Sequence, residues 1–329
     1  MTVIQSPFEG NSGKFESFQT LLRCPGCQSL KLNVNESASA INCLLCGNSY
    51  PISYGRPVLL KPDNAVFRPQ DYSIVKSSRA HEVSIWKKLI PNPSVNLVSQ
   101  RVLSHVRKLL ETKEAALILV VGCGCQRQWL DRRLGSGPSI QIVYTDIDVN
   151  ADVDFFCDGH DLPFVDGAFD AVVTTAVLEH VMYPERVSAE IIRVLKLGGL
   201  LYSELPFMQQ VHEGAYDFTR YTMSGHRRLF NRISEIESGL VAGPGTVLVW
   251  SIEHFVISFI GQSRLRNIAK AIIRIFFGWF KYFDLFLVNK AAALDGASCT
   301  YLLGKKIDGH VPDSEIIERY SGAQTVRHN

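Results

Sequence analysis

The sequence predicts an α/β protein built on a doubly wound parallel sheet. A small cysteine-bearing module precedes the sheet, and a helical insertion stands ahead of its last strand. Three observations carry this. Beyond residue 115, short β-branched, apolar runs alternate with helix-compatible stretches, the pattern of parallel strands joined by crossover helices. The first run ends in Gly122-Cys123-Gly124, a turn where glycine lets the backbone bend sharply and approach a ligand. Near the N-terminus stand two Cys-x2-Cys pairs. The 329 residues suffice for one large domain and one small one, and a formal charge of +2 gives no reason to expect a nucleic-acid partner.

In chain order the paired cysteines come first. Cys24-Pro25-Gly26-Cys27 and Cys43-Leu44-Leu45-Cys46 can give four thiolates to one tetrahedral zinc ion. A module this short, 18–61, cannot bury a core of its own, so the metal would supply its folding energy. Two disulfides or a redox pair are the alternative. The opening residues, MTVIQSPFEGNSGKF, lack the basic start and apolar core of a signal peptide, which predicts a cytoplasmic protein with reduced thiols and favours zinc. Residues 62–94 are polar with several prolines and read as a linker. Residues 95–111 have helical apolar spacing and open the main domain, 95–308. His105 within them reads as a boundary residue rather than a ligand.

The sheet follows. Residues 115–121 form a strand short and apolar enough to be buried on both faces, and 126–134 a helix whose unpaired N–H groups suit an anion. Residues 139–145 are the second strand. It ends in Asp146, about 20 residues beyond the glycines, where a carboxylate accepts from a ribose diol. Residues 153–157 are the third strand, followed by Asp158-Gly159-His160-Asp161-Leu162-Pro163-Phe164. Residues 169–175 are the fourth, followed by Ala176-Val177-Leu178-Glu179-His180. A helix over 184–195 has Pro184 in its first turn and Gly198-Gly199 beyond its end as a C-cap, and 200–205 is the fifth strand.

The segments VVGCGC, YTDID, CDGHDLPFVDGAFDAVV, AVLEHV and EIIRVLKLGGLLYSELPF, in that order over about 115–230, resemble a class I S-adenosylmethionine-dependent methyltransferase of the type 11 kind. The resemblance implies a seven-stranded Rossmann-like methyltransferase sheet with S-adenosylmethionine as cofactor. It implies that Gly122 and Gly124 pass under the methionine part and that Asp146 holds the ribose hydroxyls. Asp158 would face the adenine amine, with Gly159 and His160 beside the ring and Ala176 near the cofactor. Two positions depart from the family pattern: Val120 replaces its usual acidic residue, and Gln126 its third glycine. Both fall at the methionine end, where weaker binding, or compensation by Gln126 or Arg127, is the expectation; a decayed cofactor site is the lesser one. The run LLRCPGCQSLKL to CLLCGNSYPISYGRPVLL resembles the zinc ribbon of small methyltransferase-activating proteins, which is also found fused to bacterial methyltransferases. Such a ribbon packs on the catalytic domain, presents substrate, or is purely structural.

A direct displacement at a sulfonium methyl needs an aligned acceptor and, for a hydroxyl, a base. Doubly wound sheets bind ligands at the carboxyl ends of their strands, so the candidates follow strands four and five. His212 is the first candidate for the base, with His180 and Asp217 as further catalytic candidates. Tyr216, Arg220 and Tyr221 are candidates for binding the acceptor. Asp217 and Arg220 also suit an ion pair that fixes the loop, and His180 suits a bond to backbone. The stretch 206–222 resembles the Pf…H…D-F-x-R-Y-T segment of bacterial methyltransferases associated with glycan or lipid-precursor metabolism. Cys123, Cys125, Cys157 and Cys299 lie in or next to strands without metal spacing, and Cys123 and Cys125, flanking the glycines, read as small apolar groups.

Residues 234–240 and 298–305 are the sixth and seventh strands, paired antiparallel as in the family. Between them, 246–294 form an apolar insertion. On a helix over 264–290, Lys270, Arg274, Lys281 and Asp284 share one narrow stripe and apolar residues cover the rest. No charge-free run is long enough for a membrane span. The expectations are a lid packed on the domain, a homodimer contact, or a helix lying on the inner face of the membrane. Residues 309–329 read as a loose polar tail. The reading is thus an enzyme that transfers a methyl to an oxygen, with a nitrogen as the lesser alternative, of a small, glycan-type or lipid-linked acceptor. An RNA base methyltransferase and a non-catalytic binding protein are the alternatives.

Overall fold

The computed structural model describes residues 18–34, 39–72, 92–135 and 139–324. The opening stretch read for a signal peptide, the linker portion 73–91 and the last residues 325–329 lie outside the described residues. The chain divides into two compact units, one of 1–78, 107–175 and 183–200, the other of 79–106, 176–182 and 201–329.

In the first unit, β1 (Leu32–Val34), β2 (Ala40–Cys43), β3 (Ser49–Ser53) and β4 (Arg56–Leu59) pair antiparallel in succession. They are followed by β5 (Ala116–Val121), β6 (Ile140–Asp146), β7 (Phe155–Cys157) and β8 (Phe169–Thr175). The order is β1-β2-β3-β4-β7-β6-β5-β8, and β7, β6, β5 and β8 run parallel. The apolar runs of β5 and β8 are buried almost throughout, as a sheet covered on both faces requires.

The cysteine-bearing module does not merely lean on this sheet; it lengthens it. β4 pairs parallel with β7, Val58 opposite Phe156 and Leu59 opposite Cys157. Val58, Leu59 and Leu60 are wholly buried, which explains an apolar run without alternation in so small a module. A second seam joins Leu22 to Phe164 as an isolated antiparallel bridge, and the Arg23 N–H donates to the Pro163 carbonyl at 3.0 Å. Between β8 and β9 (Leu195–Pro206) lies the helix Pro184–Val194. It ends earlier than expected, and its C-cap Leu195 is already extended. The Gly198-Gly199 pair is therefore not a helix cap. It lies inside the strand, with Gly198 at φ +72° and no room for a Cβ on Gly199, which would sit 2.8 Å from the Lys196 carbonyl oxygen.

In the second unit the strand order is β9-β11-β10, and β10 (Ile233–Ala242) and β11 (Cys299–Lys306) pair antiparallel with two register shifts. His226 is fully buried between Ser203 Oγ at 3.0 Å and Thr300 Oγ1 at 3.3 Å. Burial pulls its pKa down to about 3, so it is a neutral strut. The expected loose tail carries a helix over Asp313–Glu318, with Ile316 buried and Arg319 bonded to Glu315.

The insertion is α-helical but not one helix. Helix α1 spans Pro244–Ile257 and α2 Ser263–Phe277, with a 3-10 segment Gly278–Phe283 and a short α3 (Asp284–Leu287) after them. The expected helix over 264–290 changes its winding at Gly278. Asp284 explains why: its fully buried carboxylate accepts from the N–H groups of Gly243, Gly245 and Thr246 and from the Thr246 hydroxyl, at 2.7–3.0 Å. One side chain thus satisfies the orphan donors that open α1. A Cβ on Gly243 would stand 2.7 Å from that carboxylate, and one on Gly245 would stand 2.4 Å from the Phe280 carbonyl oxygen.

Asp284→Ala strands four buried donors. It is expected to destabilise the protein by about 2–4 kcal/mol, read as a lower midpoint in urea or thermal unfolding.

Candidate functional site

The first unit carries the elements expected of a cofactor cradle. The β5 turn places Gly122 at φ +73° and Gly124 at φ +49°, a region costly for any residue with a Cβ. Space over Gly124 is open, since a Cβ there would meet nothing within 4 Å. Because β5, β6 and β7 are adjacent and parallel, Gly122, Asp146 and Asp158 come to the same edge of the sheet. Asp146 Oδ2 accepts the Gly124 N–H at 2.7 Å, and its Oδ1 accepts those of Ile147 and Asp148. Burial raises its pKa against those bonds. Asp158 Oδ1 accepts the His160 N–H at 2.9 Å and faces His160 Nδ1 at 2.6 Å. Burial opposes its charge, but the His160 ring and N–H and the Asn64 amide outweigh it and hold the carboxyl below its ordinary value. Gly159 packs against Val187, whose Cγ1 would lie 3.2 Å from a Cβ. A glycine turn with open space above it and two carboxylates at neighbouring strand ends fit an adenosyl cofactor.

Two residues here were not legible in the sequence. Asn64 donates its amide to Asp158 Oδ2 at 2.8 Å, and the buried Tyr72 donates its hydroxyl to the Ile147 carbonyl at 2.6 Å and tilts against Phe156. Both lie in the polar, proline-bearing stretch read as linker, which carries no periodicity to mark them. At the methionine end, Val120 is buried in β5. Arg127, one expected compensator, is engaged instead by Asp154 at 2.9 Å and the face of Tyr144. Gln126 stands exposed at the N-cap of the following helix, Arg127–Leu134.

The four N-terminal cysteines are free thiols whose sulfurs all lie within 4.8 Å of one another. Cys24 and Cys46 are 3.7 Å apart, Cys27 and Cys43 3.5 Å. A zinc tetrahedron with bonds of ~2.3 Å has edges of about 3.8 Å, so the donor set fits that ion. The Tyr50 hydroxyl lies 3.0 Å from Cys24 Sγ and accepts the Gly26 N–H at 3.1 Å, buttressing the first knuckle.

The second unit gathers the acceptor-side candidates. His180 Nδ1 lies 2.7 Å from the Tyr216 carbonyl, so it carries the proton and Nε2 is left as an acceptor. Burial lowers its pKa. His212 Nδ1 faces the Gln210 carbonyl at 3.3 Å and Asp217 Oδ2 at 3.5 Å, and Asp217 also accepts the His212 N–H at 3.0 Å. The two imidazoles meet edge to face, with centroids 4.7 Å apart. Arg220 is spent inside the loop on Asp217 and on the carbonyls of Gln209, Gln210 and Thr219; it ties the loop together. That bond to Arg220 holds the Asp217 pKa down to about 2. Tyr216 is exposed and Tyr221 buried, its N–H donating to the Pro206 carbonyl. Ala176 sits at φ +55°, a strained value for a residue with a Cβ, and its N–H donates to the Glu204 carbonyl.

Glu179 is the residue that sequence reasoning passed over, although it stands beside His180 in the same motif. It is 1% exposed, and neither carboxylate oxygen has a hydrogen-bond partner among the described residues. Burial pushes its pKa up to about 8. His180 Nε2 stands 3.7 Å from its Oε1, and ligand atoms of Glu179, His180 and His212 all lie within 4.8 Å of one another.

Residues 119–203 match the family described as Methyltransferase domain. No curated protein matches the sequence. Among solved structures, the chain is similar to Haemonchus contortus phosphoethanolamine N-methyltransferase 2 in complex with S-adenosyl-L-methionine, at 15% identity, covering 63% of this chain and 53% of that one, with a TM-score of 0.41. The YcgJ protein from Bacillus subtilis is similar at 15% identity, over 64% and 99% of the two chains, with a TM-score of 0.39. The cyclase SpnF is similar at 18% identity, over 64% and 82%, also with a TM-score of 0.39.

Two predictions follow from these clusters. The purified chain should carry about one zinc per molecule by elemental analysis; its removal by a strong chelator, or Cys24→Ser with Cys43→Ser, should lower the melting temperature. At Glu179 the folded state keeps a proton that the unfolded chain gives up near pH ~4.3, so stability falls from there up to about pH 8. Glu179→Gln should abolish that slope. Its melting temperature should exceed the parent's at pH 8 by about 2–4 °C per kcal/mol relieved, with the gap closing toward pH 4.

Proposed function

We propose that this chain, whose residues 119–203 match a methyltransferase domain, is an S-adenosylmethionine-dependent methyltransferase and that the methyl goes to a hydroxyl oxygen of a small, glycan-type or lipid-linked acceptor. Gly122 and Gly124 give the close backbone approach, Asp146 accepts from the ribose hydroxyls, and Asp158, with Gly159 and His160, recognises the adenine. With Val120 apolar and Arg127 engaged by Asp154, the methionine end relies on the glycine turn itself. When bound, the cofactor supplies an electrophilic methyl carbon attached to a sulfonium.

The observation that carries the reading is the state of His212. Its Nδ1 faces a carbonyl and a carboxylate, so that nitrogen holds the proton and Nε2 has its lone pair free to take one from an acceptor hydroxyl. Asp217 fixes the ring and stabilises the imidazolium once formed, and Arg220 keeps Asp217 ionised far below assay pH. His180, with its pKa lowered by burial, stays a neutral neighbour that does not repel a charged His212. Tyr216 and Tyr221 flank the loop as contacts for the acceptor. The near-neutral charge of the chain supports an acceptor other than RNA.

His212→Ala should lower kcat by about 10²–10⁴-fold while leaving S-adenosylhomocysteine affinity unchanged in isothermal titration. Undiminished turnover would remove His212 from the chemistry. Incubation of cell extract with methyl-labelled cofactor should place the label in organic-extractable or glycan material, whereas label recovered in RNA would overturn the acceptor class.

A further inference from the structure

We propose that the helical insertion is a docking surface for an anionic lipid bilayer, on which α1, α2 and the 3-10 segment after them lie flat. The inference is independent of the acceptor named above.

The amphipathicity of α2 is inverted. In an ordinary surface helix the apolar stripe faces the core and the charges face water. Here Lys270 and Arg274 turn inward, and the cations left outside stand at the start of the helix. Arg274 donates to both oxygens of the fully buried Glu253 at 2.6 and 3.0 Å, and Lys270 stands 3.6 Å from the same carboxylate. Lys281 is buried with its ammonium on the Asn92 carbonyl, and Asp284 is buried on the start of α1. With the polar stripe committed to these bonds, the helix cannot roll its apolar side inward without stranding buried charge. Among the fifteen residues of α2 only Ile273 is buried.

The outward side is correspondingly apolar. Phe259 and Phe286 are each 77% exposed, Phe276 67%, and Ile275, Ile272 and Trp279 half or more. These large exposed side chains recur from the end of α1 through α2 to α3. Scattered exposed apolar residues are ordinary, but a patch of this kind marks an interaction surface.

Charge selects the occupant. The acidic residues of 244–290 are Glu253 and Asp284, and both are buried and bonded. The exposed ionic residues of that segment are Arg264, Arg266 and Lys290, all cationic. An apolar face edged by Arg and Lys, with Trp279 and Tyr282 among the exposed aromatics, matches the interface of an anionic bilayer. A second copy would instead bring like charge against like charge. Among the described residues no helix is long and apolar enough to cross a membrane, which leaves lying on the surface.

The test is flotation of the full chain with vesicles of phosphatidylcholine alone or of phosphatidylcholine mixed with phosphatidylglycerol. The chain should float with the mixed vesicles, bind them less as salt rises, and stay behind with phosphatidylcholine alone. Phe259→Ser with Phe276→Ser and Phe286→Ser should weaken partitioning by tenfold or more, and Arg264→Glu with Arg266→Glu by about tenfold. All five side chains are exposed, so both variants should keep the parent melting temperature. A chain that floats with neither vesicle overturns the proposal. So does a concentration-dependent dimer, seen by light scattering, that the Phe variant abolishes while vesicles remain unbound; it would give the face to a second copy. Loss of methyl transfer without loss of flotation would count against the proposed function and leave the docking surface standing.

Discussion

The parallel register of β5, β6 and β7 is the constraint on which the remainder of the first unit depends. Parallel strands whose carboxyl ends lie side by side bring what stands at those ends to one edge, and Gly122, Asp146 and Asp158 stand there. The bond from the Gly124 N–H to Asp146 shows how tightly that edge is drawn. A one-residue slip in β6 would turn its carboxylate to the other face of the sheet. Conformational freedom at two glycines and a fixed strand register therefore act as one device.

The same sheet explains the N-terminal module. Its last strand buries Val58 and Leu59 by pairing with β7, so the module lies in the hydrogen-bonded fabric that carries Asp158. The residues that follow, Asn64 and Tyr72, reach the ends of β6 and β7. Metal at the four cysteines would fix the turns beside β2, which reaches β4 and β7 only by way of β3, so the influence of zinc on the cofactor edge passes through backbone hydrogen bonds rather than through the ion's charge. The Tyr50 hydroxyl against Cys24 is the local brace of the same path.

In the second unit, polar groups are buried with opposite consequences. Glu253, Asp284 and His226 are fully enclosed and fully partnered, and they hold elements in place. Glu179 is enclosed as deeply, with no hydrogen-bond partner for its carboxylate among the described residues. An unpartnered buried carboxyl costs stability, and such a cost concentrates at sites that use it. Its position directly after β8, next to two imidazoles, sets it apart from the structural ion pairs elsewhere in the unit.

By itself the sequence determined what depends on local period and punctuation. The strands 115–121, 139–145 and 169–175 emerged within a residue or two because each carries an unbroken buried apolar stretch, Ile118–Val121, Ile142–Tyr144 and Ala171–Val173. The four cysteines declared themselves by spacing, and the glycine turn with Asp146 by order along the chain. Tertiary structure decided what depends on partners far off in the chain. No periodicity announces that Asn64 will meet Asp158, that Gly198-Gly199 will bend a strand rather than end a helix, or that Glu179 will lack a partner. The insertion shows the limit best. Its charged stripe was legible, yet which way that stripe would face was settled by Glu253 and the start of α1, because a buried charge goes where its counter-charge and hydrogen bonds are.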